Sequence, residues 1–287
     1  MLLHEKDNKI TIEELESFDI GQILECGQCF RFNKLDENFY TIIANKKLLH
    51  IKQEKESVSF FPCDMTEFET VWLKYFDITR DYDYIKKIIS RNDRSMQTAI
   101  DFAPGIRILN QDPFECLVSF IISQNNRITM IKKVIENLCG AFGEPIENGM
   151  YAFPTSEKLD QATIDEIMSQ KTGFRAKYIK DACKKITNKT LLINDLKQDN
   201  QARDKLLMVA GVGQKVADCV LLFSLERHDV FPTDVWIKRV MEEFYFYGKE
   251  TSIKQIHTFA QTRWGKYSGF AQQYLFNYAK EMKIGKK

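Results

Sequence analysis

From Phe30 to Phe61 apolar and polar residues alternate with a period near two. The runs Cys29–Phe32, Phe39–Ile43, Leu48–Lys52 and Val58–Phe61 are parted by polar stretches, the pattern of an antiparallel meander. Beyond Asp64 the spacing becomes helical, first over Thr66–Tyr75 and Tyr84–Phe102. Pro113 opens a helix that runs to Ile122, and Asn126–Phe142 makes another, ended by Gly143. Further helical stretches cover Thr163–Ser169, Ala176–Ile186, Gln201–Val209, Gln214–Ser224, Val235–Phe246 and Gly269–Met282. The expected fold is α+β. A small N-terminal antiparallel sheet domain with flanking helices takes 1–90, and a mostly helical body takes 91–287. The sequence contains no internal repeat and no low-complexity segment.

With 287 residues the chain has the length of two or three packed units, and its 44% hydrophobic content supports a real core. No apolar run reaches the roughly 18 residues that a spanning helix needs, so no membrane partner is expected. The N-terminus lacks a signal-peptide pattern; the expectation is a soluble monomer in the cytoplasm, and the compact chain suits a prokaryote. A formal net charge of +1 gives no sign of a nucleic-acid partner. Backbone N–H groups at helix N-termini can hold phosphate without adding to that charge. The seven cysteines suit reduced, mostly buried thiols. Cys26 and Cys29 form a lone Cys-x-x-Cys and the four histidines are scattered, which argues against a zinc site.

The chemistry concentrates after residue 205. An apolar helix runs into Gly211-Val212-Gly213, and a second begins at once with Gln214-Lys215. Glycines there let the backbone turn sharply and expose the first N–H groups of the second helix, which suit a phosphate oxygen. By themselves they make an ordinary helix corner. Lys215 lies in a mainly apolar stretch at a positive helix end, where both neighbourhood effects favour the neutral amine a nucleophilic lysine needs. A solvated surface lysine is the plainer alternative. Asp234 follows nineteen residues later (234 − 215), after Pro232-Thr233 and before another helix, where it could serve simply as an N-cap.

The segment Gly-Val-Gly-Gln-Lys-Val-Ala-Asp-Cys at 211–219, with Pro-Thr-Asp-Val at 232–235, resembles the helix–hairpin–helix DNA glycosylase superfamily. Within it the chain looks like the eukaryotic-type 8-oxoguanine DNA glycosylase/AP lyases. Further matches are Gly27-Gln28-Cys29-Phe30-Arg31, Leu109–Cys116, Ser123-Gln124-Asn125-Asn126, Gly173–Tyr178 and Gly269–Phe276, so the resemblance spans nearly the whole chain in family order.

That resemblance implies double-stranded DNA carrying oxidised guanine as partner. Lys215 would attack the sugar and form a Schiff base, and elimination would then nick the strand. Asp234 would stabilise positive charge developing on the sugar. Gly27 would offer a carbonyl to the hydrogen on N7 of the lesion, Gln272 would take its Watson–Crick edge, and Phe276 and Cys219 would sandwich it. Asn125 would fill the gap left by the flipped base, with Phe174 and Arg175 beside the orphaned partner. Gly211, Gly213 and Trp236 would lie on DNA phosphates. No cofactor is implied for catalysis; a structural cation on the main-chain carbonyls of Leu207, Val209 and Val212 is. From the residues alone, Gly27 could be a turn glycine, Asn125 a cap, Phe174 and Cys219 core, and Arg175 a surface charge.

Three positions depart from the family. Met130 stands where the better-known members carry a second arginine for the opposing cytosine, Phe174 replaces a tyrosine, and Trp236 a histidine. Looser discrimination of the opposite base is therefore expected, since methionine offers no donor to a base edge. Among rivals, alkylpurine glycosylases generally lack the hairpin lysine. The iron–sulfur branches need cysteines beyond Cys219, the last in this chain, so no iron–sulfur cluster is expected. A non-enzymatic hairpin module would not need the Lys215/Asp234 pair.

Overall fold

The computed structural model describes residues 1–55 and 57–285. It opens with a hairpin absent from the sequence expectation, β1 (Leu2–Lys6) and β2 (Lys9–Glu13). The two-residue turn Asp7-Asn8 has φ of 51° and 56°, positive at both positions as hairpin twist favours. Only Ile10 and Ile12 of this pair are buried, which is too little alternation to stand out. After α1 (Ile20–Glu25), capped by Asp19, come β3 (Phe32–Asp36), β4 (Phe39–Ala44), β5 (Lys47–Glu54) and β6 (Ser57–Phe61). The six strands pair antiparallel in the order β1-β2-β6-β5-β4-β3. The strand expected at Cys29–Phe32 begins only at Phe32, because Cys26 to Arg31 form a loop that dives between the two units.

Side chains on one sheet face pair across strands, Ile10 with Phe60, Phe60 with Ile51 and Ile51 with Tyr40. They pack on α1 and on the helical run α2 (Met65–Glu67), a wide π turn at Phe68–Trp72, and α3 (Leu73–Tyr75). Burying this apolar face gives most of the drive to form the sheet.

The stretch expected as one helix over Tyr84–Phe102 is two, α4 (Tyr82–Ile89) and α5 (Arg94–Phe102). Asn92 turns the chain at φ 55°, and Asp93 restarts the helix by accepting a bond from Met96 N at 2.9 Å. Apolar spacing carries across this break, which is why periodicity misses it. The body is centred on the buried α6 (Pro113–Ser123), followed by α7 (Ile128–Phe142), α8 (Ser156–Gln161) and α9 (Ile164–Ile167). Then come α10 (Ala176–Thr187), α11 (Ala202–Leu207), α12 (Gln214–Ser224), α13 (Val235–Tyr245), α14 (Ile253–Trp264) and α15 (Ser268–Glu281). Of these, α8 and α14 were not foreseen, although Ser252 and Gln255 form a capping box at the start of α14. No helix among the described residues is long and apolar enough to cross a membrane.

Two apolar cores result. That of the sheet unit runs from Ile10 to Ile78 and takes back Leu109, while Tyr82, Ile85 and Ile89 of α4 pack into the body. Cys26 and Phe30 also belong to the body's core, so the loop between α1 and β3 is spliced into it. The buried Arg107 guanidinium locks the junction. It donates to the carbonyls of Glu16 at 2.9 Å, Ser17 at 2.9 Å and Asp77 at 2.7 Å, and lies 4.5 Å above the Tyr82 ring.

Candidate active site

The hairpin between α11 and α12 is shaped by Gly211, whose φ is +76° and whose Cβ, if present, would strike the Tyr178 ring at 2.4 Å. Any side chain there would push α10 off the hairpin. Asp181 of α10 accepts from Ala210 N at 2.7 Å and fixes the loop from the same side. Gly213 is the N-cap of α12, offers no side-chain cap and faces open space. The first amides of α12 therefore point outward without helical acceptors. Val212 N closes on the Val209 carbonyl at 3.0 Å, which tightens the turn.

Lys215 projects from the first turn of α12, and its Nζ stands 4.9 Å from the Phe120 ring centroid. Cys219 lies one turn on, on the same face. Burial pushes its thiol up to about 11, with the Lys215 charge opposing and the Asp234 charge adding to the rise. A thiol held protonated is no competing nucleophile, so Cys219 is fitted to be a wall. Asp234 caps α13, its Oδ1 accepting from Trp236 N and Ile237 N, each at 2.9 Å. Both caps use Oδ1, which fixes the carboxylate plane and leaves Oδ2 outside the caps.

The helix α15 carries Gln272 and Phe276, four residues apart on one face. Gln272 is 4% exposed, and its Oε1 is buried without a hydrogen-bond partner. An orphaned buried carbonyl costs about 1–3 kcal/mol, so it marks a place where a donor is meant to arrive. Gly27 lies opposite, with φ +84° and the place of its missing Cβ 3.1 Å from Phe276 Cε1. The backbone around Gly27 is held firmly. Gln273 Nε2 donates to the Cys26 carbonyl at 3.1 Å and Lys280 Nζ to that of Glu25 at 3.2 Å. The fully buried Gln28 donates to the carbonyls of Ile23 at 2.9 Å and Arg107 at 2.7 Å, and accepts from Leu109 N at 2.8 Å. Gln28 and Gln273 were not singled out from sequence; the signal was a glutamine in an otherwise apolar context, whose partners lie far along the chain.

The remaining expected residues gather on a neighbouring surface. Asn125 sits at φ +47° in the turn between α6 and α7. Arg175 is 8% exposed rather than the surface charge its residue type suggests. Its Nε donates to the Gln124 carbonyl at 3.0 Å, and its Nη2 to those of Asn125, at 3.1 Å, and Gln124. Arg175 therefore grips the very turn that carries Asn125, and its guanidinium covers the Phe174 ring at 4.5 Å. Phe174, Ile128 and Met130 are exposed. Trp236 is half-buried, with the Arg239 guanidinium 5.5 Å from its ring. Among the described residues no group of three or more His, Cys, Asp or Glu side chains could hold a metal.

Comparison with known proteins agrees along the chain. Residues 9–117 match the family model of the 8-oxoguanine DNA glycosylase N-terminal domain, and residues 118–266 that of the HhH-GPD superfamily base excision DNA repair proteins. The chain is 28% identical to an N-glycosylase/DNA lyase of Saccharomyces cerevisiae, over 95% of this chain and 86% of that protein. It is 30% identical to a probable N-glycosylase/DNA lyase of Methanothermobacter thermautotrophicus, over 71% of each. Clostridium acetobutylicum 8-oxoguanine glycosylase/lyase, solved with double-stranded DNA containing cytosine opposite 8-oxoguanine, superposes with a TM-score of 0.95 at 42% identity, covering 99% of both chains. A 3-methyladenine DNA glycosylase from Archaeoglobus fulgidus shares the fold, with a TM-score of 0.74 at 20% identity over 95% of this chain and 99% of that one.

Proposed function

The chain belongs to the HhH-GPD superfamily of base excision DNA repair proteins, and from that premise we propose that it is a bifunctional 8-oxoguanine DNA glycosylase and abasic-site lyase. The observation that carries this reading is a lysine in the first turn after a glycine hairpin, with the Lys215 Nζ 4.9 Å from the Phe120 ring centroid, in a molecule whose buried Gln272 carbonyl is left without a partner.

The lesion leaves the duplex at a cost of about a few kcal/mol in unstacking and unpairing. Asn125, on its braced turn, fills the gap, and Phe174 wedges beside the partner base. Arg175 holds that turn and offers the orphaned base whatever N–H groups the main chain leaves free. The amides after Gly211 and Gly213, with Trp236, hold the flanking phosphates. The flipped purine lies between Phe276 and Cys219. Guanine N7 is a bare acceptor while the 8-oxo form carries a hydrogen there, so the Gly27 carbonyl attracts the lesion and repels guanine. Gln272 Oε1 takes a donor from the Watson–Crick edge.

The Lys215 amine then attacks C1′. The N-glycosidic bond breaks and its electron pair leaves with the base, which takes up a proton; the C1′–O4′ bond then breaks, its pair and a proton from the nitrogen going to O4′, as the second C1′–N bond forms and gives the protonated Schiff base. Asp234 acts on the positive charge that builds at the sugar in the transition state, where a fixed anion accelerates the step rather than merely binding substrate. Loss of a C2′ proton and departure of the 3′ phosphate complete the β-elimination. The hairpin fits a cation only through main-chain oxygen. The Val209 carbonyl, engaged once by Val212 N, keeps a second lone pair, and the carbonyls of Leu207 and Val212 would complete the set. Such an ion would strengthen the field on a phosphate, and no chemical step passes through it.

The test is single-turnover excision from duplexes with 8-oxoguanine opposite C, A, G and T. Excision with strand nicking is expected in all four; no release of 8-oxoguanine from any of them would overturn the reading. Because Met130 cannot supply a bidentate contact, which is worth about 1–3 kcal/mol of discrimination, the four rates are expected to fall within about tenfold. Strict selection for C would refute the looser preference.

Gly27→Ala supplies a second check. The added Cβ meets the Phe276 ring at 3.1 Å and forces an alanine to φ +84°, at a cost of about 1–2 kcal/mol in backbone strain alone. Excision of 8-oxoguanine is expected to fall by about tenfold or more, since each 1.4 kcal/mol is tenfold, while nicking at a preformed abasic site, which carries no base, stays near the parent rate. An equal loss in both reactions would mean that Gly27 shapes the fold rather than the base site.

A further inference from the structure

We propose that His257 is a positioning residue for the lysine–aspartate pair, a brace setting the hairpin helix against the Asp234 turn; this rests on the function proposed above. His257 lies on α14, an element to which no role was assigned, and its half-buried ring reaches two separate loops. Its Nδ1 is 3.1 Å from Gln214 Nε2, and its Nε2 is 3.0 Å from Thr233 Oγ1. Gln214 immediately precedes Lys215 and Thr233 immediately precedes Asp234. The imidazole therefore ties together the chain neighbours of both catalytic residues.

One pattern of hydrogens satisfies every group. The Thr233 hydroxyl donates to the Phe231 carbonyl at 2.9 Å, so its oxygen must accept from His257, and Nε2 carries the ring hydrogen. Nδ1 is then a bare acceptor for the Gln214 amide. A directed chain of bonds runs from Gln214 through the ring and Thr233 to the Phe231 carbonyl, each member orienting the next. The Phe231 ring packs edge-on against the imidazole at 6.5 Å and 79°. By contrast, the caps on Asp234 bind it to its own helix, and the Phe120 ring backs Lys215 alone. The histidine crosses between the two loops.

Such a brace matters because attack at C1′ demands near-attack geometry, and a misplacement of about 1 Å can cost on the order of a hundredfold in rate. The ring bonds to the side chains beside Lys215 and Asp234 and not to those two residues, and the Gln214 main-chain amide does not depend on it, so removing the brace should slow chemistry far more than it weakens binding.

The experiment compares wild type, His257→Phe, Gln214→Leu, Thr233→Val and the Gln214→Leu/Thr233→Val double variant. Three quantities are measured: single-turnover excision of 8-oxoguanine at saturating enzyme, Kd for a duplex with an uncleavable abasic analogue, and Tm. His257→Phe keeps the ring volume and loses both bonds. Excision is expected to slow about tenfold while Kd stays within about twofold, and the double variant should be no slower than either single, because each cuts the same chain. Wild-type rates in His257→Phe, a parallel loss of binding, or single effects that multiply in the double variant would each overturn the brace. Should His257→Phe fail to fold, the variants at the two ends decide the matter by the same criteria. Wild-type enzyme that releases no 8-oxoguanine would sink the function and the brace together. Lys215→Gln inactive beside a fully active His257→Phe would leave the function standing and remove only the brace.

Discussion

Replacing Lys215 by glutamine is expected to abolish borohydride trapping on an 8-oxoguanine duplex and to slow base excision by at least about a thousandfold, the order expected when a covalent nucleophile is lost. Glutamine is nearly as good a helix former as lysine, and the position is only half-buried, so Tm should barely move. No neighbour can take over the attack. Cys219, the nucleophile type closest at hand, is held protonated by burial up to about 11, and deleting the Lys215 charge removes one of the influences that pull it down. The variant should still bind a duplex with an abasic analogue, because the hairpin amides are untouched. Trapping that persists in Lys215→Gln would place the Schiff base on another amine and unseat the mechanism.

Asp234→Asn separates two roles that one side chain performs. As a cap, Asp234 accepts from Trp236 N and Ile237 N through Oδ1, both at 2.9 Å; asparagine caps about as well, so stability should change by under about 0.5 kcal/mol. In the proposed role as an anion acting on the sugar, the carboxylate has no substitute. Excision is expected to drop by about a hundred- to a thousandfold, near 2.7–4 kcal/mol of transition-state stabilisation. Asp234→Ala should add a loss of about 1 kcal/mol of stability from the broken cap. Comparing melting curves and single-turnover rates of the two variants assigns each loss to its cause. An asparagine variant with wild-type rates would reduce Asp234 to a helix cap.

The elements that sequence made legible are those built from short-range rules. The α12 boundaries, Gln214–Ser224, agree with expectation because glycines and an apolar run mark them locally. The start of α6 follows from Asp112 capping and Pro113 in the first turn. The break between α4 and α5 was hidden, since apolar spacing continues through a turn set by Asn92 and Asp93. Motif resemblance singled out Lys215, Asp234, Gly27 and Gln272 as candidates for the site. Gln273, Gln28 and His257 were not singled out, because a polar residue by itself reveals nothing of a partner on another element. Arg175 shows the same limit, as a cation that sequence assigns to the surface is buried around the Asn125 turn.

The order of amino acids alone determined which stretches coil or extend, where helices start, and which residue types are available for amine and carboxylate chemistry. These follow from propensity, capping and periodicity, which act within a turn or two of the chain. Only packing decided that Gly27 meets Phe276, that the Lys215 amine stands over the Phe120 ring, and that Gln272 keeps a bare carbonyl. Meetings such as that of Gly27 with Phe276 join residues from opposite ends of the chain. They exist because burial of two apolar cores outweighs the entropy of closing such long loops.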